Sequence, residues 1–385
     1  MKRNIAIILE ATLGGTRKHV VDLLYNLPLD NFNIHFIYSK ERADNDFLCN
    51  IENLRKTGIV LCEIKMNSNI LSFKNFFSLF KVRRYIKSNK IQILHLHGAI
   101  AAGIGRLSAI LVPSVETIIY TPHGGVFHKM HGFKGYFYYI IEKILISKKL
   151  FFIAVSNSQK HEIINKLHIA NEKIFLIHNG ISIPSFIFDE SKKDDILHDI
   201  NCNIPNPLVI LYPALFLEAK GHIEFFLSLK NSKKLINTNV IFLLAGDGPL
   251  LEQTKEIVGK ISYLKEKIIF LGFTTQMNIY YQLCDIVILP SKGEAFGYVA
   301  LESFQYKKPI FSTRVGGLLD LINDGIDGKF FSVDKIDDFI DDINYYTEHK
   351  NELKIFGENG FLKLQSKFSL QHMVDKTVAI YEINR

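Results

Sequence analysis

The chain of 385 residues contains few cysteines, and their spacing matches no metal or redox motif. Cys49, Cys62, Cys202 and Cys284 lie far apart in the sequence. A disulfide framework and a cysteine-based zinc site are therefore excluded. We expect four buried thiols in a reducing cytoplasm.

Long apolar runs are also missing. The run Ile5–Leu9 follows Lys2 and Arg3, but it is too short for a signal peptide and predicts a first strand instead. The stretch 91–113 is interrupted by His95, His97 and Arg106, so it does not predict a membrane-spanning helix. We expect a cytoplasmic protein, with any membrane association peripheral.

Acidic residues are scarce between positions 65 and 149. This segment holds 13 basic residues against only Glu116 and Glu142, a balance of +11, whereas the whole chain carries +7. Such a surface favours an anionic membrane, an anionic lipid-linked acceptor or nucleic acid. No nucleic-acid-binding module accompanies it, so we expect no nucleic acid partner.

The length and the 48% hydrophobic content predict two domains with real cores. Short apolar runs alternate with helix-length segments, which is typical of parallel α/β sheets. In the first half the predicted strands are Ile5–Leu9, Ile34–Tyr38, Ile91–Leu96, Thr117–Tyr120, Phe151–Val155 and Ile174–Ile177. In the second half they are Leu208–Tyr212, Val240–Leu244, Ile268–Leu271, Ile286–Leu289 and Pro309–Ser312.

A polar, proline-flanked stretch separates the two halves. We predict an α/β protein with a first Rossmann-like domain at 1–183, a linker at 184–207 and a second Rossmann-like domain at 208–367. Residues 368–385 are predicted to form a helix that packs back on the first domain. Ligands of such sheets bind beside the carboxyl ends of the strands.

The most informative segment runs from Ser291 to Glu302. Glu294 and Glu302 are separated by seven residues, and the strand Ile286–Leu289 precedes them. The segment from Glu294 to Gly297 predicts a turn that enters a helix. Amide groups at a helix start favour an anion such as a diphosphate. With a diphosphate bound there, the two carboxylates can hold sugar hydroxyls on either side of it.

Other loops at strand ends contain candidate ligand-binding residues. Gly14-Gly15 precedes a helix, and Lys220 follows a strand end, where its ammonium group can neutralise a diphosphate. Gly246 and Phe273 follow two further strands. Taken singly, each of these is also an ordinary strand-to-helix turn.

Histidines occupy the ends of two strands in the first half. His123 lies in a loop bounded by proline and glycine, where it can bind a sugar or stabilise the loop. His95 and His97 end another strand, but the sequence shows no compelling third ligand for a metal ion. For these two we expect a structural role or one in lining an acceptor site.

In their order along the chain, these elements resemble retaining glycosyltransferases of family 4. The resemblance covers nearly the whole sequence, and the segment from Glu10 to His19 is most similar to bacterial exopolysaccharide, capsule and O-antigen enzymes. It implies the GT-B architecture, two Rossmann-like domains facing across a cleft. It also implies a nucleotide-sugar donor on the second domain, an acceptor mainly on the first, and no essential metal or other cofactor.

The resemblance also implies roles for individual residues. His123 and Glu294 would be catalytic, beside the transferring sugar, and Glu302 would bind the ribose. The other donor-binding residues would be Gly15, Lys220, Gly246, Phe273, Ala295, Phe296, Gly297 and Val299. His19, His95 and His97 would lie on the acceptor side.

One position departs from the family pattern. Leu215 stands where members usually carry an arginine, although Lys220 is kept. The missing guanidinium would cost stabilisation of the departing diphosphate. Arg17, Lys18 and Arg314 are candidates to replace it.

The resemblance implies transfer of a hexose or N-acetylhexosamine, with a UDP-sugar as the expected donor. The expected acceptor is a lipid-linked or oligosaccharide precursor of a surface polysaccharide. Two alternatives are a nucleotide-sugar epimerase or hydrolase of the same architecture, and an inactive nucleotide-sugar-binding partner protein.

The segment from Ser72 to Lys87 predicts a helix that allows two interpretations. Phe73, Phe76, Phe77 and Phe80 recur at helical spacing, and basic residues occupy other faces. The phenylalanines either face the core or lie on anionic lipid at the inner face of the plasma membrane. The basic balance of this region favours the membrane.

Overall fold

The computed structural model of the protein describes residues 2–69, 72–124, 132–183, 193–200, 202, 204–230 and 232–383. Its chain divides into two compact units. The first comprises Met1–Gly180 together with Leu370–Arg385, and the second comprises Ile181–Ser369. Each unit is built around one parallel sheet.

The first unit contains a seven-stranded parallel sheet in the order β3-β2-β1-β4-β5-β6-β7. The strands are β1 (Arg3–Leu9), β2 (Phe32–Tyr38), β3 (Val60–Glu63), β4 (Ile93–His97), β5 (Thr117–Thr121), β6 (Leu150–Ala154) and β7 (Ile174–Leu176). The helices are α1 (Gly14–Asn26), α2 (Asn45–Leu54), α3 (Phe73–Ser88), α4 (Ala99–Ala109), α5 (Gly132–Ile144), α6 (Asn157–Leu167) and α16 (Leu370–Tyr381). A separate buried apolar cluster covers each face of this sheet.

The second unit contains a six-stranded parallel sheet in the order β10-β9-β8-β11-β12-β13. The strands are β8 (Leu208–Pro213), β9 (Val240–Ala245), β10 (Ile268–Gly272), β11 (Ile286–Leu289), β12 (Ile310–Ser312) and β13 (Gly328–Phe330). The helices are α7 (Lys193–Asp199), α8 (His222–Lys230), α9 (Leu251–Gly259), α10 (Ser262–Lys265), α11 (Met277–Leu283), α12 (Tyr298–Gln305), α13 (Leu318–Leu321), α14 (Ile336–Glu348) and α15 (Lys350–Lys367).

The predicted α/β class is confirmed, and each of the eleven predicted strands is present; β11 has the predicted bounds, and the ends of the others differ by one or two residues. The sequence did not reveal β3 and β13. Both are short strands at a sheet edge, and the four residues of β3 are only half-buried or exposed. A strand of this kind lacks the continuous apolar run that marks a buried parallel strand.

The predicted linker and the C-terminal segment each contain a helix, α7 and α16. Within the predicted linker, residues 184–192 lie outside the described residues, and α7 follows them, with Lys193 paired to Asp285 at 3.3 Å. At the C-terminus, α16 contacts the first unit. The Tyr381 hydroxyl lies 2.7 Å from Nδ1 of His95, and its carbonyl accepts from Arg3 at 2.8 Å.

Among the described helices, none combines the length and the apolar character needed to cross a bilayer.

A buried ion pair ties α4 to α5 in the first unit. The Arg106 guanidinium donates two hydrogen bonds to the Glu142 carboxylate, at 2.8 and 2.9 Å, and both side chains are nearly inaccessible to solvent. The guanidinium also lies 5.0 Å from the ring centre of Tyr120. Removing one partner would leave an uncompensated buried charge.

We predict that Glu142→Ala lowers the free energy of unfolding of this unit by about 3–5 kcal/mol. Glu162→Ala on α6 is the matched control, because its pair with Lys166 at 2.6 Å is partly exposed, and it should cost less than about 1 kcal/mol. Urea denaturation followed by circular dichroism measures both. Equal midpoints for the two variants would contradict the proposed importance of the buried pair.

Candidate active site

The strand order places the candidate donor residues at one edge of the second sheet. β8 lies between β9 and β11. The chain first adds β9 and β10 on one side of β8, and then crosses over to add β11, β12 and β13 on the other side. In open parallel sheets such a point of reversal creates a crevice beyond the carboxyl ends of the strands. The loops after β8 and β11 carry Lys220 and Glu294 and lie at that point.

Lys220 and Glu294 form an ion pair there. The ammonium Nζ lies 2.5 Å from Oε1 of Glu294, and the Ser291 hydroxyl donates to the same oxygen at 3.1 Å. Both charged side chains are largely buried. The pair therefore holds a carboxylate and an ammonium group next to each other, 74 residues apart in sequence.

Buried aromatic side chains position Lys220. The Tyr212 hydroxyl donates to the Lys220 carbonyl at 2.5 Å, and the ring of His222 stacks between Tyr212 and Phe216 at centroid distances of 4.2 and 4.1 Å. Burial and the nearby Lys220 charge lower the pKa of His222 to about 3. His222 is thus a neutral packing residue, and the sequence analysis did not identify it.

Glu302 lies on α12, as predicted. The helix begins at Tyr298 after Gly297, whose φ of +108° is a conformation that glycine adopts readily. The Tyr281 hydroxyl donates to Oε2 of Glu302 at 2.8 Å. Burial, followed by the charge of Glu302, raises the pKa of Tyr281 well above its usual value, so Tyr281 remains a neutral donor. No sequence motif points to this tyrosine.

The loop from Glu294 to Gly297 packs closely against Gly317. The Gly317 amide donates to the Glu294 carbonyl at 2.9 Å, and a Cβ on Gly317 would lie 2.4 Å from Cα of Phe296. Phe296 itself is buried, with its ring 6.1 Å from that of Phe368. Any contact of Phe296 with a ligand would therefore come from its backbone.

The candidate donor residues Gly246 and Phe273 follow two strands of the same sheet. The Gly246 amide donates to the Gly272 carbonyl at 2.9 Å, and a Cβ on Gly246 would lie 2.2 Å from the Ala214 carbonyl oxygen. Phe273 follows β10 and is 75% exposed. Val299 is half-buried in the first turn of α12.

In the first unit β1 lies between β2 and β4, which creates a second point of reversal. The exposed Gly15 is the second residue of α1, which follows β1, and His97 ends β4. Within the sheet, His97 is in register with Leu9 on β1 and Thr121 on β5. Loops that are distant in sequence therefore meet at this edge.

Among the described residues, four histidines meet at this edge: His19, His95, His97 and His123. Nδ1 of His97 lies 2.9 Å from Nε2 of His123, and the ring centre of His19 lies 4.6 Å from that of His123. His95 is fully buried, and both of its ring nitrogens are engaged, with Tyr381 and Thr121. The sequence shows no compelling third ligand to accompany His95 and His97. In the structure His19 and His123 lie beside His97, because strand order and not sequence proximity brings them here.

Burial keeps these imidazoles neutral. It lowers the pKa of His19 to about 4, although a hydrogen bond with Asn179 opposes the shift. Burial, reinforced by the neighbouring histidines, holds the pKa values of His95, His97 and His123 well below the usual value. At neutral pH the cluster offers nitrogen lone pairs and N–H donors but no positive charge.

The three cations proposed to replace the missing arginine are engaged in ion pairs of their own. Arg17 contacts Asp44 at 2.5 Å, Lys18 contacts Asp22 at 3.1 Å, and Arg314 contacts Asp324 at 2.5 Å. The Leu215 side chain is half exposed.

Comparison with known proteins agrees with this architecture. Residues 13–183 match the family model described as Glycosyltransferase Family 4, and residues 195–363 match Glycosyl transferases group 1. The chain belongs to the glycosyltransferases that combine these two domains. This confirms the resemblance drawn from the motifs.

Relatives of known name are similar along nearly their whole length. The UDP-Gal:alpha-D-GlcNAc-diphosphoundecaprenol alpha-1,3-galactosyltransferase of Escherichia coli is 25% identical, over 96% of this chain and 94% of its own. The capsular polysaccharide biosynthesis glycosyltransferase CapM of Staphylococcus aureus is 24% identical, over 94% and 96%.

Solved structures share the fold. A glycosyltransferase from Rickettsia africae superimposes with a TM-score of 0.80 at 22% identity and full coverage of both chains. HepE of Anabaena, in complex with UDP and glucose, superimposes with a TM-score of 0.78 at 18% identity, over 98% of this chain and 99% of its own. The fold is that of GT-B glycosyltransferases.

We predict that Gly316→Ala destabilises the second unit more than Gly325→Ala does. Both glycines have positive φ, of +51° and +74°, so both variants bear the cost of a left-handed alanine, about 1–2 kcal/mol. A Cβ at Gly316 would also lie 1.8 Å from the Glu294 carbonyl oxygen, whereas nothing lies within 4 Å at Gly325. Urea denaturation compares the two variants, and an equal loss would show that the Glu294 loop does not depend on Gly316.

Proposed function

We propose that this glycosyltransferase moves a hexose or N-acetylhexosamine from a UDP-sugar to a lipid-linked glycan precursor of a surface polysaccharide, with retention of configuration. The observation that carries the proposal is the Lys220–Glu294 ion pair, which lies where the strand order of the second sheet reverses. The name of the Escherichia coli relative supports a UDP donor and a diphosphoundecaprenol-linked acceptor. The UDP bound to HepE supports the same base.

On the donor side, we assign the diphosphate to Lys220 and to the amides of Ala295–Gly297. A positive charge and the amide groups at a helix start both favour an anion. Glu294, held by Lys220 and Ser291, is assigned to hydroxyls of the donor sugar. Glu302, oriented by Tyr281, is assigned to the ribose hydroxyls. We also assign Gly246, Phe273 and Val299 to the donor-binding site, as the family resemblance implies.

The proposed reaction needs little acid–base chemistry from the protein. The acceptor hydroxyl oxygen forms a bond to the anomeric carbon, and the bond from that carbon to the diphosphate oxygen breaks. The acceptor proton passes to the departing diphosphate, which leaves on the face being attacked. The protein contributes mainly electrostatic stabilisation of the diphosphate, and we propose that no metal ion is required for this step.

In the first unit we assign His123 to the transferring sugar, because it is the partly exposed member of the histidine cluster. Gly15 keeps the diphosphate-approaching role that the family resemblance implies. His19 and His97 are assigned to the acceptor side. His95 would act only through its neighbours, since both of its ring nitrogens are engaged.

The substitution at Leu215 makes Lys220 more important. The three candidate replacement cations are each paired with an aspartate of their own unit. We therefore propose that Lys220 and the helix amides bear the diphosphate charge without a guanidinium.

Two alternatives differ from this proposal in their products. A nucleotide-sugar epimerase or hydrolase would turn over the donor without any acceptor. An inactive partner protein, which Leu215 makes conceivable, would bind the nucleotide and form no product with any acceptor.

We predict that Lys220→Met weakens UDP binding by about 10- to 100-fold, because a charge-assisted contact worth about 1.5–3 kcal/mol is lost. Lys292→Met is the matched control, since Lys292 is exposed and pairs with Glu218 and Glu224 instead. Isothermal titration with UDP measures both variants, and thermal shifts with UDP, GDP and ADP sugars identify the base.

A transfer assay with a polyprenyl-diphosphate-linked sugar then separates the candidate functions. Product that requires the acceptor supports the proposal. Donor turnover without acceptor supports the first alternative. Equal UDP affinity in Lys220→Met and the wild-type protein would overturn the donor site itself.

A peripheral position on anionic membrane also forms part of the proposal. On α3 the buried residues are Asn75, Ser78, Val82 and Ile86, whereas Phe73, Phe76, Phe77 and Phe80 are each more than half exposed. The interpretation that the phenylalanines face the core is therefore wrong. Exposed Lys81, Arg84 and Lys87 lie on the same helix, and this combination fits a helix lying on anionic lipid.

We predict that Phe76→Ser with Phe80→Ser strongly reduces flotation with vesicles containing anionic lipid. The triple neutralisation of Lys81, Arg84 and Lys87 should reduce it at low salt. Arg83 is left in place, because its guanidinium donates to the carbonyls of Ser108 and Ile110.

Leu362→Ser on α15 is the control for the flotation experiment, since it removes an equally exposed apolar side chain from the second unit. Unchanged flotation of both α3 variants would count against the membrane surface.

A further inference from the structure

Three histidines of the first unit, His19, His97 and His123, lie close enough together to bind one metal ion. One ring nitrogen from each of His19, His97 and His123 lies within 4.8 Å of one from each of the others. Three nitrogens around a tetrahedral zinc ion, with bonds of about 2.0–2.1 Å, lie about 3.3 Å apart. The His97 Nδ1 to His123 Nε2 distance of 2.9 Å is close to that value. Small side-chain shifts would therefore bring the three into coordination.

The partners of the rings leave lone pairs for an ion. Nδ1 of His19 lies 2.9 Å from Oδ1 of Asn179. A carbonyl oxygen only accepts, so Nδ1 carries the proton and Nε2 keeps its lone pair. Metal-binding histidines usually make such a hydrogen bond with their second nitrogen. Asn179 is itself buried, which fixes this tautomer.

His97 offers its Nδ1 to the same ion. The ring is fully buried, and its Nδ1 lies 2.9 Å from Nε2 of His123, so one proton lies between these two nitrogens. A cation can take the place of that proton, because both nitrogens face the space between the rings. The Nε2 of His97, which has no hydrogen-bond partner among the described residues, then carries the proton of the neutral ring.

We propose that His19, His97 and His123 bind one divalent transition-metal ion of the zinc type. Three imidazoles without a carboxylate favour Zn²⁺, Co²⁺ or Ni²⁺ over Mg²⁺ and Ca²⁺, which prefer oxygen ligands. His123 is partly exposed, so the site is not closed to solvent.

The number of protons on the three imidazoles does not change when the metal ion binds. The ion replaces the proton shared by His97 and His123, and that proton moves to the second nitrogen of the ring that carried it. The three neutral rings then bind through one lone pair each, and no proton is released. The ion occupies the nitrogen of His123, so it competes with the role of His123 at the sugar. That consequence alone rests on the proposed function.

The test uses the full chain, freed of any histidine tag and of metal. Titration with Zn²⁺ should give one ion per chain, and Co²⁺ should give the visible absorption of a tetrahedral site. His97→Gln should lower the affinity at least 100-fold. His161→Gln is the matched control, because this histidine is exposed on α6 of the same unit and should leave binding unchanged.

A second variant keeps all three ligands. Asn179→Ala removes only the hydrogen bond to His19 and should weaken Zn²⁺ binding by about 10- to 100-fold. Circular dichroism and thermal unfolding of the metal-free variants establish that they are folded. If His97→Gln fails to fold, the Asn179→Ala result decides.

The outcomes separate this inference from the transferase proposal, because binding is measured without sugar or nucleotide. No stoichiometric binding of Zn²⁺ or Co²⁺ by the wild-type chain would overturn it. So would binding that both His97→Gln and Asn179→Ala leave unchanged. If the site exists and the transferase proposal holds, Zn²⁺ should inhibit transfer and a chelator should restore it.

Discussion

The pairing of each central strand with two neighbours on opposite sides determines where every candidate residue lies. β8 pairs in parallel with β9 and β11, and β1 pairs in parallel with β2 and β4. Parallel pairing places the carboxyl ends of all these strands at one edge, and the reversal of strand order leaves a crevice there. Loops that are far apart in sequence are thereby held side by side.

The two sheet edges that carry the candidate residues differ in charge: the second has charged side chains, and the first has neutral ones. The edge of the second sheet holds the ion pair of Lys220 with Glu294 and a second carboxylate, Glu302, which accepts a hydrogen bond from the neutral Tyr281. Lys220 can exchange its contact with Glu294 for one with an anionic ligand at modest cost, because its ammonium group is already held in place. The edge of the first sheet holds buried neutral imidazoles, which suit hydrogen bonding and coordination to soft cations better than diphosphate binding.

The helix α3 shows how the first unit satisfies its core and still leaves apolar surface outside. Its inner face includes Asn75 and Ser78, whose side chains hydrogen-bond backbone groups of residues 65–74 and so satisfy a polar inner face. Its outer face carries four phenylalanines that contact one another, with centroids 4.8–6.2 Å apart. An exposed aromatic patch of this kind commonly marks an interaction surface.

The sequence by itself determined the α/β class, eleven of the strands and the turn from Glu294 into the helix of Glu302, because these depend on local apolar runs and turn residues. Two edge strands, β3 and β13, were missed, since short and partly exposed strands lack that signal. Helical spacing placed the phenylalanines of α3 on one face without saying which way that face points. Only the tertiary structure decided this, and only it brought His19 and His123 beside His97 and Lys220 beside Glu294. Those proximities arise from strand order and side-chain packing between distant segments, and periodicity along one segment carries no information about them.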